Sequence, residues 1–412
     1  MKYLPILFLL FSNGLMAQSP TCDCRAELDF VYRKVKKSVS FKDQFDKGKK
    51  AEFEDHYRSL EALVSTESSL YDCFLLLNDL IQAVKDNHLY IDGTAEPIAL
   101  AKLKDPDRLE AFRAGDDFRV FPRTSRDLDS LAGALRNKPV ASAEGIFYYG
   151  QFLEVGVFES GSGPLYGVVL QSELPSWEPG ELILYMEQVS RQQYRITSGK
   201  FVNKKLIHYQ ERIENGTHLR IGWSKDQTPA YFDRRTLFEG TYGFKQLEEG
   251  VQYLKLGSFS AFGDNLAVAD SFAASLEGKL TADALIVDLR GNTGGGPRCS
   301  GQFFDLLEDY SQAHPIYVLV NYSTISNAEQ FTSNLKDLPE VTVLGIPTNG
   351  TVSYGRNKSN SHTSPSGHFR IHITDSRYPQ YLEFEEVGIV PDVRLRGDRD
   401  WIEQVLEYIK ET

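Results

Sequence analysis

Cysteine is scarce: among 412 residues there are four, Cys22, Cys24, Cys73 and Cys299. Cys22 and Cys24 are too close for a C-x-x-C pair, so neither a thiol redox motif nor a zinc ribbon is encoded. In an oxidising compartment Cys73 can pair with Cys22 or with Cys24, and the spacing leaves that choice open. Cys299 reads as a small packing residue. An excess of cations is also missing. Lys and Arg number 45 against 57 Asp and Glu, for a net charge of −12, and nucleic acid is excluded as a partner because phosphate binding needs a basic face. Apolar runs are short. Residues 3–11 form one, flanked by Lys2 and a small-residue exit at Ala17, and fall below the ~20 residues that span a bilayer. That pattern is a secretory signal peptide, residues 1–17. It predicts an exported protein, periplasmic or extracellular, without stable membrane insertion. No lipobox cysteine follows, and repeats and low-complexity tracts are absent.

About 395 residues remain after cleavage, enough for two or three domains at roughly 100–200 residues each. Residues 18–92 carry apolar positions at helical spacing, as in SSLYDCFLLLNDLIQAVKDNH, and predict a helical N-terminal domain whose last helix is long. Residues 93–141 are charged and mixed, without a period. Residues 142–228 turn to short β-type runs (GIFYYG, YGVVLQS, GELILYM) broken by Gly, Pro, Ser and Asn, which predict a small antiparallel barrel or sandwich. From 229 to 412 strand, glycine turn and helix alternate, an α/β pattern with mostly parallel strands.

Two segments of that last region carry the chemistry. ALIVDLRGNTGGG, residues 284–296, reads as a buried strand ending at Asp288 and running into a glycine turn. NYSTISNAEQF, residues 321–331, leaves a strand, breaks at a small polar turn and enters a helix. A glycine turn can bring backbone N–H groups close to a carbonyl. A serine at a helix N-terminus sits where unpaired N–H groups favour an oxyanion. Ser326 is thus either a nucleophile or the N-cap of a capping box with Glu329, and the local pattern does not divide the two. The glycines are either oxyanion donors or packing glycines. They lack the G-K-[ST] and G-x-G-x-x-G spacings of nucleotide loops. His88, at the end of the helical region, and His368 and His372, four apart in HFRIHIT, complete the candidates. The latter two read as a solvated strand face, with no third ligand for a metal.

The strings VDLRGNTGGG, STISNAEQF, LGIPTNG and EEVGIVPDVRL, in that order over residues 252–395, resemble the C-terminal (tail-specific) processing serine peptidase family and its tricorn-core relatives. The helices ending in DNHLYI fit the same layout. The resemblance implies an α/β fold with a crotonase-like, ClpP-like core of β-β-α units, here with an N-terminal helical domain and an inserted β-rich domain. It makes Ser326 the nucleophile, with oxyanion donors from the N–H of Asn327 and of Gly294 or Gly295. The processing branch places a base lysine after its T-x-G turn, but this chain has Thr351 there, and Lys358 lies in a different context. The tricorn-like branch takes a histidine from the DNHLYI segment, so His88 is the implied general base. Asn87 precedes it, where the branch has a side-chain oxygen. Glu385, with Glu386 as its rival, is the implied orienting carboxylate. No PDZ-like G-L-x-x-G-D-x-I segment is present. The reading is an exported serine endopeptidase for peptides or unfolded chains, with no metal or organic cofactor. Its alternative is an inactive member of the fold that binds a ligand or peptide. Oligomeric state is not encoded legibly.

Overall fold

The computed structural model describes residues 19–65, 67–161, 163–227, 236–358 and 360–412, so the expected signal peptide lies outside the described residues. The chain forms two compact units, Met1–Pro229 with Arg356–Asp375, and Ala230–Gly355 with Ser376–Thr412.

In the first unit, helices Cys24–Val35, Val39–Gln44, Lys47–Glu61 and Leu70–Gln82 each begin at a side-chain cap. Asp23, Ser38, Asp46 and Ser69 accept N–H groups that the first turn cannot pair internally. Leu28, Val31 and Val35 on the first helix and Leu70, Phe74, Leu77 and Ile81 on the fourth are buried at helical spacing in one core. Cys24 and Cys73 are joined as a disulfide, leaving Cys22 and Cys299 free. The fourth helix stops at Gln82, short of the continuous helix the spacing predicts. The Asp86 carboxylate takes the N–H groups of His88 and Leu89 at 2.9 and 3.2 Å, a local turn that competes with helix. The chain then enters strand Tyr90–Gly93, which pairs with Phe369–His372, itself paired with Ser361–Thr363.

Residues without a period hold short helices, including Pro106–Ala114, which buries no side chain and therefore shows no apolar stripe. Seven antiparallel strands follow in sequence order, from Gly145–Tyr149 to Thr217–His218. Ser224 bridges both Tyr148 in the first strand and Thr217 in the last, closing the meander on itself. Phe147, Val155, Ile196 and Trp223 pack with the N-terminal helices in one core.

The second unit is built on a six-stranded sheet. Its order is Val393–Arg394, Val341–Gly345, Ile316–Val320, Ala284–Asp288, Val251–Leu256, Tyr242–Glu248, parallel except for the last strand. The two central strands are buried along their whole length, as strands covered on both faces require. Helices Asn265–Leu276, Pro297–Ser311 and Asn327–Lys336 contribute Ala273, Phe303 and Phe331 to the same core. Asp288 pairs in register with Leu319, so the turns leaving the two central strands emerge side by side at the carboxyl edge of the sheet, where ligands of parallel sheets collect.

Candidate active site

Three hydrogen bonds stitch those two turns together. Gly291 N–H donates to Asn321 Oδ1 at 3.1 Å, the Thr324 hydroxyl to the Leu289 carbonyl at 3.0 Å, and Ile325 N–H to the Asn292 carbonyl at 2.9 Å. Asn292 is fully buried and also donates its amide to the Leu256 carbonyl at 2.9 Å. The Asn and Thr side chains do this because they can satisfy backbone groups in turns that no ladder reaches.

Ser326 sits at the start of helix Asn327–Lys336 with φ 60° and ψ −124°, a left-handed region that a residue with a Cβ occupies only when its surroundings impose it. The imposition is visible. The Glu329 carboxylate accepts Ser326 N–H at 2.9 Å, and Glu329 N–H donates to the Ser326 carbonyl at 2.8 Å. Against the serine turn lies Gly294. A Cβ on Gly294 would stand 2.6 Å from the Ile325 carbonyl oxygen and 2.9 Å from the Ser326 Cβ, so only glycine permits this approach.

The expected oxyanion donors differ in their engagement. Gly294 N–H is already donated to Asn292 Oδ1 at 2.8 Å. Phe259 forms a parallel bridge with Gly295, its N–H donating to the Gly294 carbonyl and its carbonyl accepting Gly296 N–H, both at 3.0 Å. In that pattern the groups of Gly295 itself face away from Phe259. Neither Gly295 N–H nor Asn327 N–H has a hydrogen-bond partner among the described residues.

Behind Ser326, Glu329 is wholly buried. Beyond Ser326, it accepts the Thr348 hydroxyl at 2.6 Å, Gly350 N–H at 2.7 Å and Thr351 N–H at 3.0 Å. Burial, the largest influence, lifts its pKa above the ordinary carboxylate value although all four donors pull the other way. Glu385 is buried, and its Oε2 accepts the N–H groups of Val352 and Ser353 at 2.9 and 2.7 Å. Glu386 is more exposed, has φ 65° and donates its N–H to the Gly350 carbonyl at 2.8 Å. Thr351 bonds Asn349 through its hydroxyl at 2.6 Å. The second unit thus gathers Ser326, Asn327, Gly294, Gly295 and Glu385 within one web of three turns.

His88 and Asn87 belong to the first unit and are described by themselves. His88 keeps part of its surface exposed, yet the protein around the ring pushes its pKa down to about 4, with the Arg356 cation acting in the same direction. The ring is therefore neutral at pH 7. Asp86 holds the turn, its second oxygen accepting the Thr374 hydroxyl at 2.8 Å. Lys358 N–H bonds Asp375 at 2.9 Å. His372 does not lie on the solvated face its spacing predicts. It contacts Asp92 at 3.1 Å and Arg356 at 2.8 Å, and stacks on Tyr90. Among the described residues no group of three or more His, Cys, Asp or Glu is placed to hold a metal ion.

Sequence reasoning passed over Asn292, Asn321, Asp86 and the wider role of Glu329. For the first three the signal was an Asx residue at the mouth of a turn, which marks a turn without saying what the turn holds.

Residues 300–395 match the model of peptidase family S41. The Holliday junction branch migration complex subunit RuvA of Lactobacillus gasseri is 32% identical over 124 residues, 25% of this chain and 64% of that protein. The chain therefore spans just under two thirds of that curated relative. Among solved structures, the photosystem II D1 C-terminal processing protease is 16% identical, with 92% of this chain and 94% of that chain covered at a TM-score of 0.38. Mature CPAF is 11% identical, 94% and 96% covered, at 0.42. The tricorn protease is 14% identical, with 94% of this chain and 36% of that chain covered, at 0.44. With TM-scores below 0.5 these likenesses fix nothing about this chain's chemistry. The likeness to peptidase family S41 thus falls on residues 300–395, the segment that holds Ser326, Glu329 and Glu385.

Proposed function

We propose that the chain is an exported serine endopeptidase that cleaves peptides or unfolded proteins through an acyl-enzyme. Ser326 Oγ attacks the scissile carbonyl carbon while His88 takes its proton. The oxyanion is held by Asn327 N–H and, of the two glycines, by Gly295, because Gly294 N–H is spent on Asn292. His88 returns the proton to the departing amine, and water activated by the same ring then hydrolyses the ester. Glu385 is the orienting carboxylate in preference to Glu386, because it is buried and its Oε2 is fixed by two amides. Asn87 has the minor part of a polar neighbour to the base. The pairing of His88 with Ser326 rests on the tricorn-like resemblance and on the ring's neutrality at pH 7. Export is supported by the Cys24–Cys73 disulfide, which persists in oxidising compartments, and among the described residues no helix is long and apolar enough to cross a membrane. The β-β-α organisation of the core belongs to the same proposal, as do an N-terminal helical domain and an inserted β-rich domain.

One observation carries this reading: two N–H groups without a hydrogen-bond partner among the described residues, on Asn327 and Gly295, flank a serine held at φ 60°. A fluorophosphonate probe on the mature protein tests it, beside Ser326→Ala and His88→Ala. Labelling that disappears in both variants supports nucleophile and base. Labelling lost only in Ser326→Ala removes His88 from its role. A folded wild type that does not label overturns the hydrolase reading in favour of a ligand- or peptide-binding protein.

A further inference from the structure

The strand Val251–Leu256 does not end where its ladder ends. Its continuation lies along the glycine turn through the bridge between Phe259 and Gly295, with Phe259 fully buried beneath it. Past this bridge three hydrogen bonds hold the loop. Ser260 N–H donates to Ser258 Oγ and Phe262 N–H to Ser260 Oγ, each at 3.2 Å, and the Asn265 amide donates to the Ser260 carbonyl at 2.7 Å. On this fixed loop Phe262 is 87% exposed, and Val268, in the helix that follows, is 51% exposed. An extended chain advances at most ~3.6 Å per residue, so the Phe262 Cα lies within about 11 Å of the Phe259 Cα that abuts the oxyanion turn. A large aromatic ring in water, a few peptide lengths from two N–H groups that have no hydrogen-bond partner among the described residues, has no use in the core of its own unit. Ligand sites are lined by apolar and aromatic side chains, and an exposed ring close to a reactive turn is available to serve as one.

The geometry points to Phe262 as a specificity-determining residue that takes an apolar side chain of the peptide substrate, on the glycine-turn side of the scissile bond. This rests on the hydrolase reading above. Its basis is placement: the loop is hydrogen-bonded through Phe259 to the residues on either side of Gly295, so a peptide whose carbonyl oxygen reaches that N–H comes within a few residues' reach of the loop. The ring adds no charge and no hydrogen bond, so what it selects is apolar area.

The test is a series of internally quenched peptides differing only at residues flanking the cleaved bond, Leu or Phe against Ser, with wild type, Phe262→Ser and Phe262→Leu. Wild type favours the apolar peptide at one flanking position. In Phe262→Ser the ratio of kcat/KM for apolar over polar peptide at that position falls by on the order of 10-fold, and Phe262→Leu restores most of it. A wild type that labels with fluorophosphonate and cleaves, paired with an unchanged ratio in Phe262→Ser, overturns this inference and leaves the hydrolase reading standing. So does an equal loss on both peptides. A ratio unchanged while sedimentation shows Phe262→Ser dissociating a dimer assigns the ring to a second copy of the chain and overturns the inference too. A wild type that neither labels nor cleaves any peptide overturns the hydrolase reading, and this inference with it.

Discussion

Glu329 takes four hydrogen bonds and, among the described residues, no ion pair. Removing it strands Ser326 N–H, Gly350 N–H, Thr351 N–H and the Thr348 hydroxyl in the interior, and each unmet donor costs about 1–3 kcal/mol. Glu329→Ala is therefore expected to lower stability by at least ~3 kcal/mol, read as a fall in the urea midpoint. Glu329→Gln turns an amide NH2 toward one of these donors and is expected to fall between the alanine variant and wild type. His88 sets the pH behaviour. Its folded pKa, about 4, lies below the ordinary histidine value of 6.5, so the fold favours the neutral ring. The stability this contributes is present above pH 6.5 and is lost as pH falls through about 4. As the proposed base it is competent down to the same pH. The acid limb of kcat/KM is therefore expected near pH 4 and absent around 6.5. An acid limb near 6.5 counts against His88 as base.

At the scale of the element, the glycine turn and the serine turn work as one piece. Gly294→Ala places a Cβ 2.6 Å from the Ile325 carbonyl at φ 86°, so the serine turn must shift. The expected outcome is a folded protein with at least ~100-fold slower fluorophosphonate labelling, the scale seen when one oxyanion donor is lost. Gly301, inside helix Pro297–Ser311, has nothing within 4 Å of a built Cβ. Gly301→Ala is expected to raise stability by about 0.5–1 kcal/mol without touching labelling. The strands and both turns were legible because buried parallel strands read as runs of Val, Leu and Ile that stop at polar residues. The central helix start at Asn327 was legible from its serine and glutamate. Three things were not. Periodicity could not show that the helix beginning at Leu70 ends at Gln82, because the Asp86 side chain, rather than any helix breaker, turns the chain. It could not choose between Gly294 and Gly295, whose difference lies in where Asn292 points. Nor could it reveal Glu329 as the anchor of the Thr348–Thr351 turn, because those bonds join residues about twenty positions apart.

For the whole molecule, the Cys24–Cys73 disulfide closes a 49-residue separation, and loop-closure entropy assigns it about 4 kcal/mol. Cys24→Ser with Cys73→Ser is expected to lower the unfolding free energy from urea titration by that order, while the variant that remains folded still labels at Ser326. Cys22, beside it in sequence, has its thiol pushed up to about 12, by burial first and then by Glu27 and Asp23. It is expected to stay unalkylated by iodoacetamide at pH 7 in the folded protein, where a thiolate is needed for attack. The most direct test of the central claim is intact mass spectrometry of the mature protein quenched within milliseconds of mixing with an activated peptide ester. An added acyl mass that maps to the peptide containing Ser326 is the predicted result. A folded wild type with no adduct, or with one mapped to another residue, contradicts it.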